Sequence, residues 1–520
     1  MADAAKETAA QRAERIKREK DGLDVFDDIV RYSKLGFDAI DPEDRDRFKW
    51  YGVYQQKPNE GHFMLRLRLP NGEISADQLD LVADLTERHA RGYGDVTTRQ
   101  NIQLHWLTIE ELPGILTALR HAGILTLHAC GDTPRVVVGC PVHGVDCDEI
   151  HDARDLLMRI NGLFVGNREF SNLPRKFKMS VGGCALRCAQ PEINDVGLCA
   201  IERPRAGGAV EVGFDLSVGG GLSTQPKLAQ RLPIFLRPEQ VLATTLGVAE
   251  IFREHGNRDK RTAARLKFLV EDWGAERFTE ELQRRVDFKF DTDLPPVPDL
   301  PRQRDHLGIR PQRQAGLHYV GLATRLGRIT AEQMRVVASL AREFGDGTVR
   351  FTNNQNIIVL GVPTAKVDEV VRLANNALLP PDGDIWQRNF VACTGAQFCN
   401  LAITETKRAP GEDSPAEQML STLQSRLAHF EHFVRINYNG CPNACGQHWI
   451  ADIGLQGVKF KDTTGISVDG VLLTVGGGLG KTSRFARSTG IKLPLTSVAD
   501  QLVGLFTAFE AQAAEAEDDF

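Results

Sequence analysis

The sequence lacks three features that would place the protein in other classes. No run of apolar residues approaches the 18 that a transmembrane helix needs, so we expect no membrane span. The N-terminal segment has no apolar stretch typical of secretory signals, and Asp3, Glu7 and Glu14 argue against a transit peptide. The formal net charge of -6 gives no indication of a nucleic-acid partner. We therefore expect a soluble, cytoplasmic protein.

The length and the cysteine content narrow the possibilities further. The 520 residues are too many for one ordinary hydrophobic core, which predicts two or more domains. The ten cysteines should stay reduced in the cytoplasm. Closely spaced cysteines in such a chain indicate a metal site or catalysis more than disulfides.

Four motifs occur twice in the chain, at offsets of 255 to 257 residues. The pairs are TTRQNIQL (97–104) with TNNQNIIV (352–359), GCALRC (183–188) with GCPNAC (440–445), NDVGL (194–198) with ADIGL (451–455), and VGGGLS (218–223) with VGGGLG (475–480). A constant offset indicates an ancient duplication. We predict two related halves in a pseudo-twofold arrangement.

Local patterns predict an α+β fold with a ferredoxin-like unit in each half. The alternating segment 63–69 predicts a strand, followed by a helix with Ser75 or Asp77 as its N-cap, then a strand and a second helix. A similar order recurs over residues 318–380. The predicted organisation is an N-terminal helical extension (1–40), a first ferredoxin-like unit (41–125), a first-half binding domain (126–293), a Pro-rich linker (294–310), a second ferredoxin-like unit (311–380) and a second-half binding domain (381–520).

Four cysteines lie in two Gly-rich segments of the C-terminal half. Cys393 and Cys399 form a C-x5-C motif, and Cys441 and Cys445 form a C-x3-C motif. Four thiolates are what a 4Fe-4S cubane requires, one for each iron. Structural zinc is an alternative, although it favours shorter spacings, and unconnected core cysteines are another. The spacing favours an iron–sulfur cluster.

The segments ACTGAQFCNLAITETK (392–407) and NGCPNACGQHWIADIGLQG (439–457) resemble the paired signatures of the nitrite and sulfite reductase family. FKWYGVYQQ, TTRQN, PRVVVGCP, NLPRKFK, INDVG and VGGGLS follow in the family order, so the resemblance covers roughly residues 40–515. It implies two related siroheme- and cluster-binding domains. It also implies a siroheme joined to the cluster through one shared thiolate, which by motif position is Cys445.

The resemblance further implies a basic shell for siroheme. Burying the carboxylates of this group without cations would cost several kcal/mol for each unpaired charge. The candidate contacts are Arg99, Arg135, Arg175, Lys176, Lys178, Arg265 and Lys267, together with Gln100, Asn101 and Asn443. An ordinary surface position is the alternative for some of these charges, above all for Arg265 and Lys267.

In the family pattern, Arg99, Arg135, Lys176 and Lys178 face the substrate. Cations there attract a small oxyanion and stabilise charge as N–O or S–O bonds break, and lysines can deliver protons. The implied reaction is the six-electron reduction of sulfite or nitrite. Lys178 favours sulfite, because the nitrite-reducing branch usually has Asn there and sulfite carries the larger charge. Nitrite stays the alternative, since the segment 392–407 resembles nitrite reductases.

A second group of cysteines lies in the N-terminal half. Its members are Cys130, Cys140, Cys184 and Cys188, of which the last two correspond to the C-x3-C cysteines of the other half. Their spacing departs from the C-x5-C pattern. A second cluster and an inactive relic of the duplication are both open interpretations.

The source of electrons is expected to be a separate protein. No G-x-G-x-x-G fingerprint follows a predicted strand, so no flavin or nicotinamide module is expected within the chain. The resemblance implies a small ferredoxin as the donor, with a flavoprotein as the alternative, and a monomeric enzyme. Two rival functions are an oxygenase of tetrapyrrole biosynthesis and a zinc-stabilised binding module. Retention of all four substrate-facing cations argues against the oxygenase, and a visible spectrum would separate zinc from siroheme.

Overall fold

The computed structural model describes residues 7–56, 58–297, 305–462, 464–480 and 483–516. Parts of four predicted segments, the N-terminal extension, the first ferredoxin-like unit, the linker and the C-terminal domain, therefore lie outside the described residues. Within the described ranges, no helix combines the length and apolar character needed to cross a membrane.

The N-terminal half begins with three helices and continues as two sheets with their helices. In chain order its elements are α1 (Ala9–Glu19), α2 (Phe26–Leu35), α3 (Pro42–Arg47), β1 (Val53–Gln55), β2 (Phe63–Arg66), β3 (Glu73–Ser75), α4 (Ala76–His89), β4 (Tyr93–Val96), β5 (Ile102–Leu107), α5 (Leu112–His121), β6 (Pro134–Gly139), α6 (Arg154–Phe164), β7 (Phe177–Gly182), β8 (Val196–Pro204), β9 (Val210–Val218), β10 (Gln230–Leu236), α7 (Val241–His255) and α8 (Leu266–Gln283).

The C-terminal half repeats this arrangement. Its elements are β11 (Gly308–Pro311), β12 (Leu317–Leu322), β13 (Arg328–Thr330), α9 (Ala331–Phe344), β14 (Thr348–Phe351), β15 (Ile357–Pro363), α10 (Val367–Asn376), α11 (Ile385–Asn389), β16 (Phe390–Ala392), α12 (Pro415–Arg426), β17 (Ile436–Asn439), β18 (Ile453–Lys461), β19 (Ser467–Val475), β20 (Arg487–Pro494) and α13 (Val498–Ala516).

Each ferredoxin-like sheet contains one strand from the other half of the chain. The sheet orders are β1-β2-β5-β4-β13 and β11-β12-β15-β14-β3. Strand β13 pairs with β4 and β3 pairs with β14, both antiparallel. One hydrophobic core spans both units and includes Leu79 and Val82 of α4 with Met334 and Val337 of α9. The two units therefore bury their apolar surface together.

The same capping box starts α4 and α9. The Ser75 hydroxyl accepts a hydrogen bond from the Gln78 N–H, and the Gln78 side chain accepts one from the Ser75 N–H. Thr330 and Gln333 repeat both bonds at the start of α9. Such reciprocal bonds satisfy amide groups that a helix start would leave unpaired. Ser75 is thus confirmed as the N-cap, rather than Asp77.

The remaining two sheets have the orders β10-β9-β8-β7-β6 and β16-β17-β18-β19-β20. In each sheet, three neighbouring strands pair in parallel, and the other two pairings are antiparallel. The amides of Gln190 and Gln447, which correspond in the duplication, bond each other at 3.1 and 2.8 Å. Both have left-handed backbones, with φ of 56° and 65°. The predicted duplicated α+β architecture is confirmed.

Candidate active site

The two C-terminal cysteine motifs lie in loops that follow neighbouring parallel strands. Strands β16 and β17 pair in parallel, with Ala392 opposite Tyr438. Cys393 follows β16 directly, and Cys441 lies two positions beyond the end of β17. Parallel strands end at the same edge of a sheet, so the loops after them meet there. This topology explains how segments far apart in sequence contribute to one site.

Close backbone contacts hold the two cysteine loops together. The Gly440 N–H donates a hydrogen bond to Cys393 Sγ at 3.2 Å. A Cβ on Gly395, whose φ is 71°, would lie 2.3 Å from Thr406 Oγ1, and one on Gly440 would lie 2.6 Å from the Thr404 carbonyl oxygen. Glycine is required at both positions, because any side chain would push the loops apart.

The structure brings together all four cysteines of the predicted ligand set. Burial raises the pKa of Cys393 to about 12, and negative charge on Cys445 and Cys441 contributes to the increase. Burial and the Cys445 charge also raise the pKa values of Cys399 and Cys441. Four thiolates held close together repel one another unless positive charge lies among them. The arrangement fits a metal cluster.

Cys445 differs from the other three cysteines in its exposure. Cys441 is buried, Cys393 and Cys399 are half-buried, and Cys445 is exposed. The Thr98 hydroxyl donates a hydrogen bond to the Cys445 carbonyl at 2.9 Å, which joins the last cysteine to the TTRQN loop of the N-terminal half. Of the four cysteines, Cys445 is therefore the most accessible to a further group.

A buried ionic network beside the C-x5-C loop was missed by the sequence analysis. Asp95 Oδ1 lies 3.0 Å from Lys407 Nζ and 3.2 Å from Arg328 Nε, and Asp95 Oδ2 lies 3.0 Å from His105 Nε2. The His105 ring stacks on Phe398, with ring centroids 3.9 Å apart. The network fixes the loop against the first ferredoxin-like unit. A signal was present in Lys407, a charged residue that ends the cysteine signature.

Asp95→Asn is expected to lower the free energy of unfolding by about 3–5 kcal/mol, because Lys407 and Arg328 would keep buried charges without their shared anion. Burial alone would raise the pKa of Asp95, but the two cations hold it far below its usual value. Its contribution is therefore present above pH ~4 and is lost as the pH falls below that value. Denaturant unfolding at pH 7 and at lower pH measures both effects.

The matched control for this prediction is Asp84→Asn. Asp84 lies 2.9 Å from Arg335, but the two side chains are 49% and 38% exposed. A solvent-exposed pair of this kind contributes about 0–1 kcal/mol. Equal losses of stability in the two variants would contradict the role assigned to the buried network.

Arg99 and Arg135 are anchored mainly by neutral acceptors. Arg99 donates to Asn194 Oδ1 and to a backbone carbonyl of β6, both at 2.8 Å. Arg135 donates to the carbonyl oxygens of Ala129 and Gly131 at 2.6 and 2.7 Å. Burial lowers the pKa of each guanidinium, yet both values stay above neutral pH. The positive charges are fixed in position without a carboxylate bound directly to either.

Lys176 and Lys178 stand two residues apart at the start of β7, so their side chains share one face of the sheet. Burial, followed by the charges of Arg265 and nearby arginines, lowers the pKa of Lys176 to about 7. Burial, Arg99 and Lys176 lower the pKa of Lys178. The Cys445 thiolate opposes the shift at Lys176. The predicted cations thus converge beside the exposed cysteine.

Three further predicted cations lie in the same region, and each is bound to an acceptor within the protein. Arg265 Nη2 lies 2.8 Å from Asp195 Oδ2, and Arg175 Nη1 lies 3.0 Å from Asp132 Oδ1. Lys267 Nζ donates to a carbonyl of the VGGGLS loop at 2.9 Å. Arg265 and Lys267 are only 9% and 3% exposed. Their interpretation as ordinary surface charges was therefore wrong.

The predicted polar contacts occupy different positions. Gln100 is buried, and its amide bonds the N–H and the carbonyl of Gly139 at 2.9 and 3.0 Å. Asn101 is also buried and accepts a hydrogen bond from the Leu69 N–H at 3.0 Å. Asn443 lies between the C-x3-C cysteines and accepts from the Ser223 hydroxyl at 3.5 Å. The first two side chains position backbone, whereas Asn443 stays within the cysteine loop.

The residues present fit a 4Fe-4S cluster and a siroheme. The cluster needs four thiolates, and four converge at the edge of the second-half sheet. Siroheme needs cations for its carboxylates and a thiolate at its iron. The structure supplies a surplus of positive charge beside the exposed Cys445. Concentrated like charges of this kind are costly unless an anionic group neutralises them.

Two family models match this chain, and each matches twice. The model described as "Nitrite and sulphite reductase 4Fe-4S domain" matches residues 130–290 and 386–517. The model described as "Nitrite/Sulfite reductase ferredoxin-like half domain" matches residues 54–122 and 310–377. The double matches agree with the internal duplication.

Individual relatives span most of the chain. It is 36% identical to the assimilatory ferredoxin-dependent nitrite reductase of Haloferax mediterranei, over 96% of this chain and 89% of that protein. It is 37% identical to sulfite reductase (ferredoxin) 2 of Mycolicibacterium paratuberculosis, over 88% of this chain and 84% of that protein. The solved structure of the Mycobacterium tuberculosis NirA protein matches with a TM-score of 0.88 and 33% identity, covering 94% of this chain and 92% of that one. Fold, site and relatives agree that the chain belongs to the nitrite and sulfite reductase family, oxidoreductases that carry siroheme and a 4Fe-4S cluster.

Proposed function

We propose that this enzyme reduces sulfite to sulfide in a six-electron reaction, with ferredoxin as its electron donor. The observation that carries the proposal is the group of four cations, Arg99, Arg135, Lys176 and Lys178, that converges beside Cys445. Sulfite is largely a dianion near neutral pH and nitrite is a monoanion. A second lysine in this group of cations therefore favours sulfite.

In this proposal Cys393, Cys399, Cys441 and Cys445 would hold the cluster, and Cys445 would also hold the siroheme. When bound, the siroheme and the cluster would pass electrons from the donor to the substrate. The surrounding loops keep the thiols in place through the Gly440 N–H bond to Cys393 and the close packing at the loop glycines. Small loop residues thus shape the ligand cradle.

The cations have two proposed roles in the reaction. Arg99 and Arg135 stay charged and are held by fixed acceptors, so they can neutralise negative charge as S–O bonds break without reorganising. Lys176 has a pKa of about 7, which suits a group that holds and releases a proton near neutral pH. Lys178 would provide the positive charge that pairs with the second negative charge of sulfite.

The proposed donor rests on the named activities of the relatives. The Haloferax and Mycolicibacterium proteins are both named for ferredoxin, one as a nitrite reductase and the other as a sulfite reductase. Their identities to this chain, 36% and 37%, are too close to decide the substrate. Reduction of nitrite to ammonia is therefore the second candidate function, favoured by the Haloferax relative.

The deciding experiment is steady-state kinetics of the purified holoenzyme with both anions. Reduced ferredoxin and reduced methyl viologen serve as parallel donors, and sulfide or ammonia is quantified as the product. We expect a larger kcat/KM for sulfite with either donor. A larger value for nitrite would overturn the proposed substrate, and turnover with methyl viologen alone would overturn the proposed donor.

Lys178→Asn is expected to shift the ratio of kcat/KM for sulfite to that for nitrite by about tenfold toward nitrite, equivalent to ~1.4 kcal/mol. The change removes one positive charge from the group of four cations, which weakens binding of a dianion more than that of a monoanion. The comparison variant is Lys178→Arg, which retains the charge and should keep the preference for sulfite. An unchanged ratio in Lys178→Asn would mean that this residue does not set selectivity.

A further inference from the structure

The loops that follow β6 and β7 contain a second group of buried cysteines. Cys140 follows β6 directly, as Cys393 follows β16 in the other half. Cys184 and Cys188 follow β7, which is the parallel neighbour of β6. The duplicated topology therefore brings these three thiols together, in the same way that it brings together the proposed cluster ligands.

An imidazole joins this group from outside the first-half domain. Sγ of Cys140, Sγ of Cys188 and a ring nitrogen of His306 all lie within 4.8 Å of one another. Sγ of Cys184 lies within 4.8 Å of Cys140 Sγ. His306 precedes β11, so it belongs to the segment that enters the second ferredoxin-like unit. Ligand types and distances both point to a metal.

Burial separates this group from accidental surface thiols. Cys140, Cys184 and Cys188 are 2%, 1% and 8% exposed, and His306 is 4% exposed. Cys140, Cys184 and Cys188 share an apolar cluster with Ile358 and Leu360 of β15, among others. The site therefore lies where the first-half domain meets the second ferredoxin-like unit.

The spacing favours a single ion over a second iron–sulfur cube. Tetrahedral zinc with Zn–S bonds of about 2.3 Å places its sulfur ligands about 3.8 Å apart. Cys140 Sγ lies within 4.8 Å of both other sulfurs, which is compatible with that separation, whereas a 4Fe-4S cube needs room between its ligand sulfurs for four irons and four sulfides. Cys130 does not supply a fourth thiol here, because its sulfur accepts a hydrogen bond from Arg66 Nη1 at 3.0 Å. Three sulfurs and one imidazole form a common structural zinc set.

We propose that Cys140, Cys184, Cys188 and His306 bind one zinc ion that fastens the first-half domain to the second ferredoxin-like unit. Each thiol loses its proton to solvent when the ion binds, and no electrons are transferred. A rotation of the Cys184 side chain completes the tetrahedron. Asp146 lies within 4.8 Å of Cys140 and Cys184 but is a harder ligand, so it stays outside the set. The site does not depend on which anion the enzyme reduces.

The test uses the purified holoenzyme and measurements that detect zinc separately from iron. Metal content per chain is measured by mass spectrometry after exhaustive dialysis. X-ray absorption at the zinc edge then identifies the ligands. We expect about one zinc per chain, with three sulfurs at about 2.3 Å and one nitrogen at about 2.0 Å.

Variants connect the ion to these residues. Cys188→Ser and His306→Ala are expected to lose the zinc, while the iron of the 4Fe-4S cluster is retained. Cys199→Ser is the matched control, because Cys199 is 1% exposed and lies on β8 of the same domain but outside the proposed set. It should retain the zinc. If the ligand variants fail to fold, the absorption spectrum of the unmodified enzyme still decides the question.

Four results would overturn the proposal. They are absence of zinc in the unmodified enzyme, zinc that persists in Cys188→Ser, a disulfide among the three cysteines in peptides mapped without reduction, and additional iron with acid-labile sulfide that disappears in Cys188→Ser. The last of these would indicate a second iron–sulfur cluster. Failure to reduce sulfite or nitrite would bear on the proposed function alone, since zinc content is measured independently of turnover.

Discussion

Cys445→Ser is expected to abolish reduction of both anions, with a loss of activity of at least about 1,000-fold. Under the proposed assignment Cys445 would hold both the cluster and the siroheme, and serine replaces a soft thiolate with a weakly acidic hydroxyl. Cys445 is exposed, whereas Cys441 is buried and Cys393 and Cys399 are half-buried.

The measurements for this variant are iron, acid-labile sulfide and the visible spectrum of anaerobically purified protein. We expect loss of the coupled siroheme spectrum together with much of the labile sulfide. Cys147→Ser is the control, because Cys147 is exposed and outside both cysteine groups, and it should leave spectrum and activity unchanged. Normal spectra and turnover in Cys445→Ser would exclude the bridging assignment.

Lys176→Met is expected to lower kcat/KM for sulfite by about 100- to 1,000-fold, the effect typical of removing one preorganised group that stabilises a transition state. Methionine keeps the length of the side chain and removes its charge and its proton. Lys176 is the lysine that faces both Cys445 and the surrounding arginines, as the influences on its pKa indicate. Its loss should therefore affect charge stabilisation and proton delivery together.

The pH profile gives this prediction a second measurement. Burial and neighbouring cations lower the pKa of Lys176 to about 7, so its protonated fraction falls as the pH rises through that value. Bound siroheme carboxylates would move this limb of the profile to higher pH. We expect the alkaline decline in kcat/KM to be lost in Lys176→Met, although the overall rate is lower.

The control for the lysine prediction is Lys459→Met on β18. Lys459 is 64% exposed and pairs with the half-exposed Asp469 at 3.2 Å. It has no proposed role in catalysis. Its rate and its pH profile should match those of the unmodified enzyme. An alkaline limb that is identical in Lys176→Met and the unmodified enzyme would remove Lys176 from proton delivery.

The secondary structure was predicted well where a local pattern dominates. The strand predicted over 63–69 begins at the observed β2, which ends earlier at Arg66, and the helix after Ser75 is α4. Alternation of apolar and polar residues and helix capping both involve residues a few positions apart. Both can therefore be recognised within a single segment of sequence. The exchange of β3 and β13 was not predicted. Each strand is three residues long, and its sequence has no pattern that indicates which strand it pairs with.

The sequence alone determined the family, its cofactors and the duplicated fold, because cluster-binding motifs and repeated segments are written in short stretches of chain. Only the tertiary structure decided which distant groups meet. It joined Asp95 to Lys407 and brought His306 to Cys140 and Cys188. The physical reason is that such contacts depend on how parallel strands and exchanged strands align the two halves. This alignment produces no recognisable motif or residue spacing in the sequence.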